Sequence, residues 1–228
     1  MLSVIDLVLL DVKNVRRSVL SKITNRSVHH DNKIHKRVLY FASKRAFDFL
    51  LALVACIVLF IPMLIVMAII KIESPGPAIF KQQRMGKDGK SFTIYKLRSM
   101  RLNAPSEMAT RDFVDSKSYI TKFGAFIRRT SIDELPQLLN ILNGSMSFVG
   151  YRPVCLTELE LNRLRKELGV FSMKPGLTGL AQIRGRDNLT VQEKARIDAE
   201  YVDKCGFFFD LRCLFETVGV VLTGKGVR

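Results

Sequence analysis

One uninterrupted apolar segment constrains the fold of this chain more than any other feature of its sequence. The 22 residues from Phe49 to Ile70 contain no charged side chain, and charged residues stand close to both of their ends. A helix of this length can span a bilayer, or enter it and return to the same side. The competing interpretation is a helix buried in the core of a soluble protein. We expect a membrane segment.

Pro62 lies inside this segment, where it removes a backbone donor and clashes with the preceding turn, so a kink or break is expected there. Only 13 residues of the segment precede it, too few for a straight crossing. Lys44 and Arg45 stand before the segment and Lys71 and Lys81 after it. Basic residues near membrane ends favour the cytoplasmic side. We therefore predict a re-entrant helix-break-helix, with a spanning helix kinked at Pro62 as the alternative.

The net charge of the chain indicates which classes of partner it can bind. Its 36 Lys and Arg against 21 Asp and Glu give a formal net charge of +15, which suits nucleic acid, anionic lipid or a phosphate-rich substrate. The four cysteines form no CxxC pair, so we expect neither a disulfide framework nor a zinc site. All the histidines lie in the N-terminal arm, at His29, His30 and His35. Chemistry elsewhere in the chain must therefore use other side chains.

The pattern along the chain predicts an α+β fold that is mostly helical. We divide it into a basic N-terminal arm at residues 1–43, a re-entrant membrane hairpin at 44–72 and a cytoplasmic catalytic domain at 73–228. The opening apolar stretch lacks a basic leader and a small-residue cleavage site, so we expect no signal peptide. Residues 103–118 are polar and unpatterned, as in a loop.

Within the third region, residues 78–84 and 91–97 flank a Gly86-Lys87-Asp88-Gly89 turn and predict a small β-hairpin. Helical patterns occur at 119–129, 133–142, 156–168 and 190–204. The tail from Phe207 to Leu222 places apolar residues on one helix face. It is either an interfacial amphipathic helix or a core helix.

The sharpest local signal is the sequence Asp133-Glu134-Leu135-Pro136-Gln137. Proline is tolerated only in the first turn of a helix, so a helix should begin near Asp133. One interpretation is structural, with Asp133 as an N-cap or with Ser131 and Glu134 as a capping box. The other is chemical, because adjacent carboxylates at a helix start suit Mg²⁺ and phosphate ligands.

Basic residues and glycines surround this pair in the sequence. Arg128 precedes it and Arg152 follows it, and arginine matches phosphate geometry through paired N–H donors. The stretch 174–186 combines three glycines with Lys174, Arg184 and Arg186. Glycines permit close backbone approach to a ligand, although turns between helices use them equally.

Taken together, the motifs resemble the small monotopic phosphoglycosyl transferases among the bacterial sugar transferases. The resemblance covers about residues 44–226. The ordered motifs that carry it are Lys44-Arg45-Ala46-Phe47-Asp48, Ser74-Pro75-Gly76-Pro77, Tyr95-Lys96-Leu97-Arg98-Ser99-Met100, Lys122-Phe123-Gly124, Asp133-Glu134-Leu135-Pro136-Gln137, Ser147-Phe148-Val149-Gly150 and Lys174-Pro175-Gly176-Leu177-Thr178-Gly179-Leu180-Ala181-Gln182.

The resemblance implies transfer of a sugar-1-phosphate from a UDP-sugar to polyprenyl (undecaprenyl) phosphate, giving polyprenyl diphosphosugar and UMP. It implies that Asp133 is the nucleophile, that Glu134 is its acid/base or metal partner, and that Mg²⁺ is the cofactor. Phosphate or nucleotide binding falls to Arg128, Arg152, Lys96, Arg98, Gln182, Arg184 and Arg186. The chain departs from the family pattern at Tyr151, where a Pro-Arg-Pro motif would begin, and at Ile61, where a serine often precedes the proline.

The same resemblance implies an enzyme of the bacterial inner membrane that faces the cytoplasm and feeds capsule, exopolysaccharide or lipopolysaccharide synthesis. Its partners would be membrane lipid and downstream glycosyltransferases but no nucleic acid polymer, with self-association left open. The alternative from another class is a basic membrane-anchored protein that binds anionic lipid or nucleic acid without catalysis. That alternative has no use for the Asp133-Glu134 pair.

Overall fold

The structure is a computed structural model that describes residues 4–105, 116–185 and 188–223, with side chains described from residue 37 onward except at 116, 117 and 221–223. Arg186 and most of the predicted loop at 103–118 lie outside the described residues. The chain divides into two compact units, residues 1–44 and residues 45–228. Residues 4–44 of the first unit are helical, and the strands and the other helices belong to the second unit.

Helix α1 runs from Val4 to Glu73, and its helical conformation continues on both sides of Pro62. Among the described residues, the segment Arg37–Glu73 is the one with the length and apolar composition to cross a membrane. Large apolar side chains along it are exposed, including Leu50, Val54, Ile57, Val58, Phe60, Ile61, Leu64 and Ile65. A soluble protein rarely exposes so continuous an apolar surface, so the buried-helix interpretation is not supported.

The predicted hairpin is confirmed. Strand β1 (Ile79–Met85) pairs antiparallel with β2 (Ser91–Leu97), and the turn between them contains Asp88 at φ 57° and Gly89 at φ 70°. Asn, Asp and Gly tolerate this left-handed region better than other residues. The Asp-Gly pair therefore fixed the position of the turn.

Two short helices follow the hairpin, α2 (Lys122–Arg129) and α3 (Gln137–Leu142). After them, strand β3 (Ser147–Val149) pairs in parallel with β4 (Gly176–Thr178). The connection between these strands carries α4 (Leu159–Glu167). The chain then continues through α5 (Leu180–Arg184), α6 (Val191–Lys204) and α7 (Phe207–Thr223). The predicted helices are present, and their ends differ from the predicted ones by a few residues.

Glycines of the 174–186 stretch allow two backbone segments of the chain to lie in close contact. A Cβ at Gly176 would lie 2.1 Å from the Gly150 nitrogen, and one at Gly179 would lie 1.9 Å from the Gly150 oxygen. Both positions therefore lie against the backbone that follows β3. The residue type that sequence reasoning associated with a ligand is required here for close strand packing.

The main core gathers apolar side chains from the hairpin, α3, the β3–β4 pair and the last two helices, with Ala52 of α1 fully buried in it. On α7, Cys213 and Asp210 face this core, whereas Phe208 and Phe215 are exposed at 83% and 70%. Phe208, Phe215 and Val218 of the predicted apolar face therefore lie on the surface, whereas Phe209, Cys213 and Leu214 of the same helix pack against the core.

Candidate active site

The carboxylate pair lies in a tight turn between two helices. Helix α2 ends at Arg129, Ser131 adopts a left-handed conformation at φ 57°, and a single 3-10 turn covers Ile132–Glu134. The regular helix α3 begins only at Gln137. A positive φ at a non-glycine residue is uncommon and often marks a constrained functional position. This conformation buries both carboxylates, with Asp133 and Glu134 exposed at 9% and 8%.

The capping interpretations of this motif are wrong. Ser131 makes no side-chain capping hydrogen bond, and Asp133 lies within the 3-10 turn rather than at its N-cap. The carboxylate of Glu134 instead forms ion pairs with two cations from distant parts of the chain. Lys96 Nζ lies 3.0 Å from Oε1, Arg152 Nη2 lies 2.8 Å from Oε1, and Arg152 Nη1 lies 3.4 Å from Oε2.

The two neighbouring carboxylates differ in their electrostatics. Burial by itself would raise the pKa of Glu134, but the charges of Arg152 and Lys96 and their hydrogen bonds hold that pKa well below its usual range. Burial raises the pKa of Asp133, and the charge of Glu134 adds to the rise, while Lys96, Arg128 and Arg152 oppose it. A pair of carboxylates with separated pKa values is a common property of active sites.

Asn140 holds the turn against the hairpin. Its Oδ1 accepts a hydrogen bond from the Tyr95 backbone nitrogen at 3.1 Å, and its Nδ2 donates to the Thr93 carbonyl at 2.7 Å. The side chain thus occupies the position that a neighbouring strand would take along β2. Because Lys96 follows Tyr95 directly, this contact brings Lys96 beside Glu134.

A buried ion pair holds the segment that carries Arg152. Arg165 of α4 binds Asp198 of α6 at 2.6 Å and donates to the Arg152 carbonyl at 2.9 Å. Its guanidinium also lies over the ring of Tyr151, 5.0 Å from the centroid. Tyr151 is 1% exposed and packs against Phe171. The departure from Pro-Arg-Pro at Tyr151 therefore supplies an aromatic surface for Arg165.

The structure brings together only some of the predicted site residues. Lys96 and Arg152 contact Glu134, and the charge of Arg128 acts on Asp133. The other described candidates bind elsewhere. Arg98 is buried and donates to the carbonyls of Ser74 and Pro75, Gln182 donates to the Leu177 carbonyl, and Arg184 pairs with Glu200 of α6.

Comparison with known proteins decides the family. The family model described as bacterial sugar transferase matches residues 39–224. This chain belongs to the bacterial sugar transferase family. A sugar transferase of Bacillus subtilis, EpsL, is 40% identical over 190 residues, which cover 81% of this chain and 90% of that protein. The exopolysaccharide production protein PSS of Rhizobium leguminosarum bv. phaseoli is 43% identical over 194 residues, covering 80% and 97%.

A third relative of this sugar transferase carries a more specific name. The UDP-glucose:undecaprenyl-phosphate glucose-1-phosphate transferase of Escherichia coli K12 is 40% identical over 183 residues, which cover 77% of this chain and 39% of that longer protein. The family and these relatives identify the chain as a sugar-phosphate transferase. The alternative of a basic protein without catalysis is therefore set aside.

The carboxylate pair of this sugar transferase fits the Mg²⁺ that the family resemblance implies. In the described part of the chain, no three or more His, Cys, Asp and Glu side chains converge. The protein would thus supply the adjacent carboxylates of Asp133 and Glu134. This donor set suits Mg²⁺, which is commonly held by one or two carboxylates together with substrate phosphates and water.

Sequence reasoning about this sugar transferase missed Arg84 on strand β1. The register pairs Phe80 with Lys96 and Arg84 with Phe92. Residues two apart along a strand share a face, so Arg84 and Lys96 lie on the same face of the hairpin. The alternating pattern of the hairpin was the available signal, but a lone arginine in a strand has no distinguishing motif around it.

Proposed function

We propose that this protein transfers a sugar-1-phosphate from a UDP-sugar to polyprenyl phosphate, such as undecaprenyl phosphate, giving polyprenyl diphosphosugar and UMP. The observation that carries the proposal is the buried pair Asp133-Glu134 surrounded by cations. Such a site combines a carboxylate nucleophile with positive charge for phosphate oxygens. The printed names of the relatives, which include an undecaprenyl-phosphate transferase and exopolysaccharide production proteins, support this choice.

Asp133 is the nucleophile in this proposal. A carboxylate oxygen of Asp133 attacks the phosphorus attached to the sugar, and the bond from that phosphorus to the UMP oxygen breaks. UMP leaves with the bonding electron pair. An oxygen of polyprenyl phosphate then attacks the same phosphorus and releases Asp133. Two displacements replace one difficult transfer between two bound substrates.

Glu134 has a different role. A carboxylate whose pKa is held so low carries no proton at neutral pH, so it is poorly suited to general acid or base work. Glu134 instead fixes Lys96 and Arg152 beside Asp133, where both can contact phosphate oxygens. The Mg²⁺ held by this pair would neutralise phosphate charge when bound.

The contacts at both ends of the apolar segment support a re-entrant arrangement. At its start, Arg45 donates to the Ile141 and Leu142 carbonyls at 2.6 and 2.8 Å, and Asp48 accepts from Ser147 Oγ at 2.7 Å. At its end, Glu73 accepts from the Phe123 backbone nitrogen at 3.0 Å. Both ends thus contact elements that follow α1 in the chain. We place these elements on the cytoplasmic face of the bacterial inner membrane, at the first membrane step of a surface glycoconjugate pathway.

A reconstituted reaction tests the function. The purified protein in lipid nanodiscs is given undecaprenyl phosphate, Mg²⁺ and a panel of UDP-sugars, and UMP is measured. One UDP-sugar should release UMP and form the lipid diphosphosugar. Asp133→Asn should abolish both UMP release and the phospho-sugar adduct detected by mass spectrometry. Asp203→Asn, which changes an exposed carboxylate of α6, should leave both intact. Full activity of Asp133→Asn would exclude the proposed nucleophile.

A further inference from the structure

Arg84 is held next to the site by two parts of the chain. On β1 it shares the Lys96 face of the hairpin. Arg84 also forms an antiparallel β-bridge with Cys155, outside the hairpin. The backbone nitrogen of the neighbouring Met85 donates to the Val154 carbonyl at 3.2 Å. This backbone contact joins β1 to the segment that begins at Arg152. The hairpin and that segment are the two elements that deliver Lys96 and Arg152 to Glu134.

The electrostatic surroundings of Arg84 combine Cys155 and Glu158 with charged residues of the site. The charges of Arg152 and Glu134 act on Arg84, and the charge of Arg84 acts on Lys96. Its guanidinium is nevertheless not paired with the carboxylates of the site. Arg84 Nη2 donates to the neutral Gln82 Oε1, and the buried Nε has no hydrogen-bond partner. In the described part of the chain, Arg84 has no carboxylate within ion-pair distance.

Among the described residues, the cations around the site outnumber the carboxylates. Four cations act there, Arg84, Lys96, Arg128 and Arg152, against the carboxylates of Asp133, Glu134 and Glu158. A half-buried guanidinium without a carboxylate partner is costly unless a ligand completes its hydrogen bonds. Arginine suits phosphate in particular, because its planar donors bind two phosphate oxygens at once.

We infer that Arg84 is a phosphate-binding residue, which contacts the phosphate group of a substrate beside Asp133. The inference rests on the proposed function and extends it to a residue outside the motifs quoted for the family resemblance. The phosphate group has two sources, the diphosphate of the UDP-sugar or the phosphate of the polyprenyl acceptor. The chemistry of recognition is the same for both, and binding and kinetic measurements separate them.

Three variants in nanodiscs test the inference. Arg84→Gln removes the charge, Arg84→Lys keeps the charge without the paired donors, and Lys81→Gln removes a charge from the exposed, opposite face of the same strand. Affinity is measured by calorimetry for UDP and for uridine, which lacks phosphate. The KM for undecaprenyl phosphate is measured with the UDP-sugar that supports turnover of the unmodified protein.

If Arg84 binds the donor, Arg84→Gln should weaken UDP binding about ten- to a hundred-fold, with uridine binding unchanged. If it binds the acceptor, the KM for undecaprenyl phosphate should rise by a similar factor. The UDP affinity or acceptor KM of Arg84→Lys should lie between the values for Arg84→Gln and the unmodified protein. Lys81→Gln should match the unmodified protein in both quantities. Should Arg84→Gln fail to fold, as judged by circular dichroism, Arg84→Lys provides the same comparison.

Unchanged UDP affinity and unchanged acceptor KM in folded Arg84 variants would overturn the inference. An equal loss of uridine and UDP binding would also overturn it, because that result indicates a general distortion of the site. Failure of the proposed function has a different signature. In that case the unmodified protein releases no UMP from any UDP-sugar, whereas the difference between UDP and uridine binding still tests Arg84.

Discussion

At the scale of single residues, the two adjacent carboxylates of the site differ in their partners and in the direction of their pKa shifts. Glu134 accepts hydrogen bonds from both Lys96 and Arg152, whereas the pKa of Asp133 is lowered by the charges of Lys96, Arg128 and Arg152. Glu134 is therefore kept ionised by direct contact. Asp133 remains a buried carboxylate with a raised pKa, and an ionised oxygen in such a setting is poorly solvated and reactive.

The raised pKa of Asp133 predicts the acid limb of the reaction. The nucleophile must be ionised, so kcat/KM for the UDP-sugar should fall as the pH drops through the pKa of Asp133. That pKa lies above the ordinary aspartate value of about 3.9. Because the charge of Arg128 lowers this pKa, Arg128→Gln should move the acid limb to higher pH.

The neighbouring Arg129 provides the control for this experiment. It is exposed and lies next to Arg128 on α2, so Arg129→Gln removes the same charge without a direct effect on the buried carboxylate. The pH profile of UMP release should coincide with that of the unmodified protein. Equal displacement of the acid limb in both variants would contradict the specific action of Arg128 on Asp133.

At the scale of elements, the helices behind the site hold its arginine in place. Helices α4 and α6 meet through Arg165 and Asp198, whose side chains are each about 2% exposed. The same arginine also donates a hydrogen bond to the carbonyl of Arg152 at 2.9 Å. The backbone position of a site residue thus depends on an ion pair formed by two helices that carry no predicted site residue.

This ion pair should be far more sensitive to mutation than a surface pair on the same helix. Arg165→Gln leaves Asp198 buried without its partner and should cost about 3–5 kcal/mol in the free energy of unfolding. Arg163→Gln breaks the exposed pair with Glu167 and should cost less than about 1 kcal/mol. Thermal unfolding of the solubilised variants measures the difference. A stability loss in Arg165→Gln no larger than in Arg163→Gln would disprove the structural role assigned to this pair.

At the scale of the whole molecule, the apolar segment of α1 is joined to the catalytic unit at both ends. Arg45 caps the carbonyls at the end of α3, which favours a cation by hydrogen bonding and by the helix dipole. Arg98 binds the carbonyls of Ser74 and Pro75 immediately after α1. Arg98, expected from the sequence at the substrate, instead holds the end of the apolar helix α1.

The re-entrant topology proposed above can be measured. Single cysteines are introduced at Ser21, in the basic N-terminal arm, and at Lys90, in the exposed turn of the hairpin, in a background without the native cysteines. Intact cells are treated with an impermeant thiol reagent. Both sites should stay unlabelled until the cells are opened, because both lie on the cytoplasmic side of a re-entrant segment. Labelling of Ser21→Cys alone in intact cells would show that the segment spans the membrane.

Local signals in the sequence were sufficient for the elements whose cause is local. The hairpin was predictable because alternation and the Asp88-Gly89 turn act within a few residues. The apolar segment was predictable because its length and lack of charge need no partner. The carboxylate pair was also found, since two acids before a proline are conspicuous in any sequence.

The partners of these groups were decided only by the tertiary structure. Ser131 and Glu134 have the spacing of a capping box, but Lys96, 38 residues earlier, takes the carboxylate instead. The sequence did not indicate Arg84 as a site residue, because the residues that lie near it come from β2 and from the segment after β3. Burial strengthens electrostatic interactions between residues that are far apart in sequence. By itself the sequence determined the apolar segment, the hairpin and the residue types of the site, whereas only the fold decided which cations meet which carboxylate.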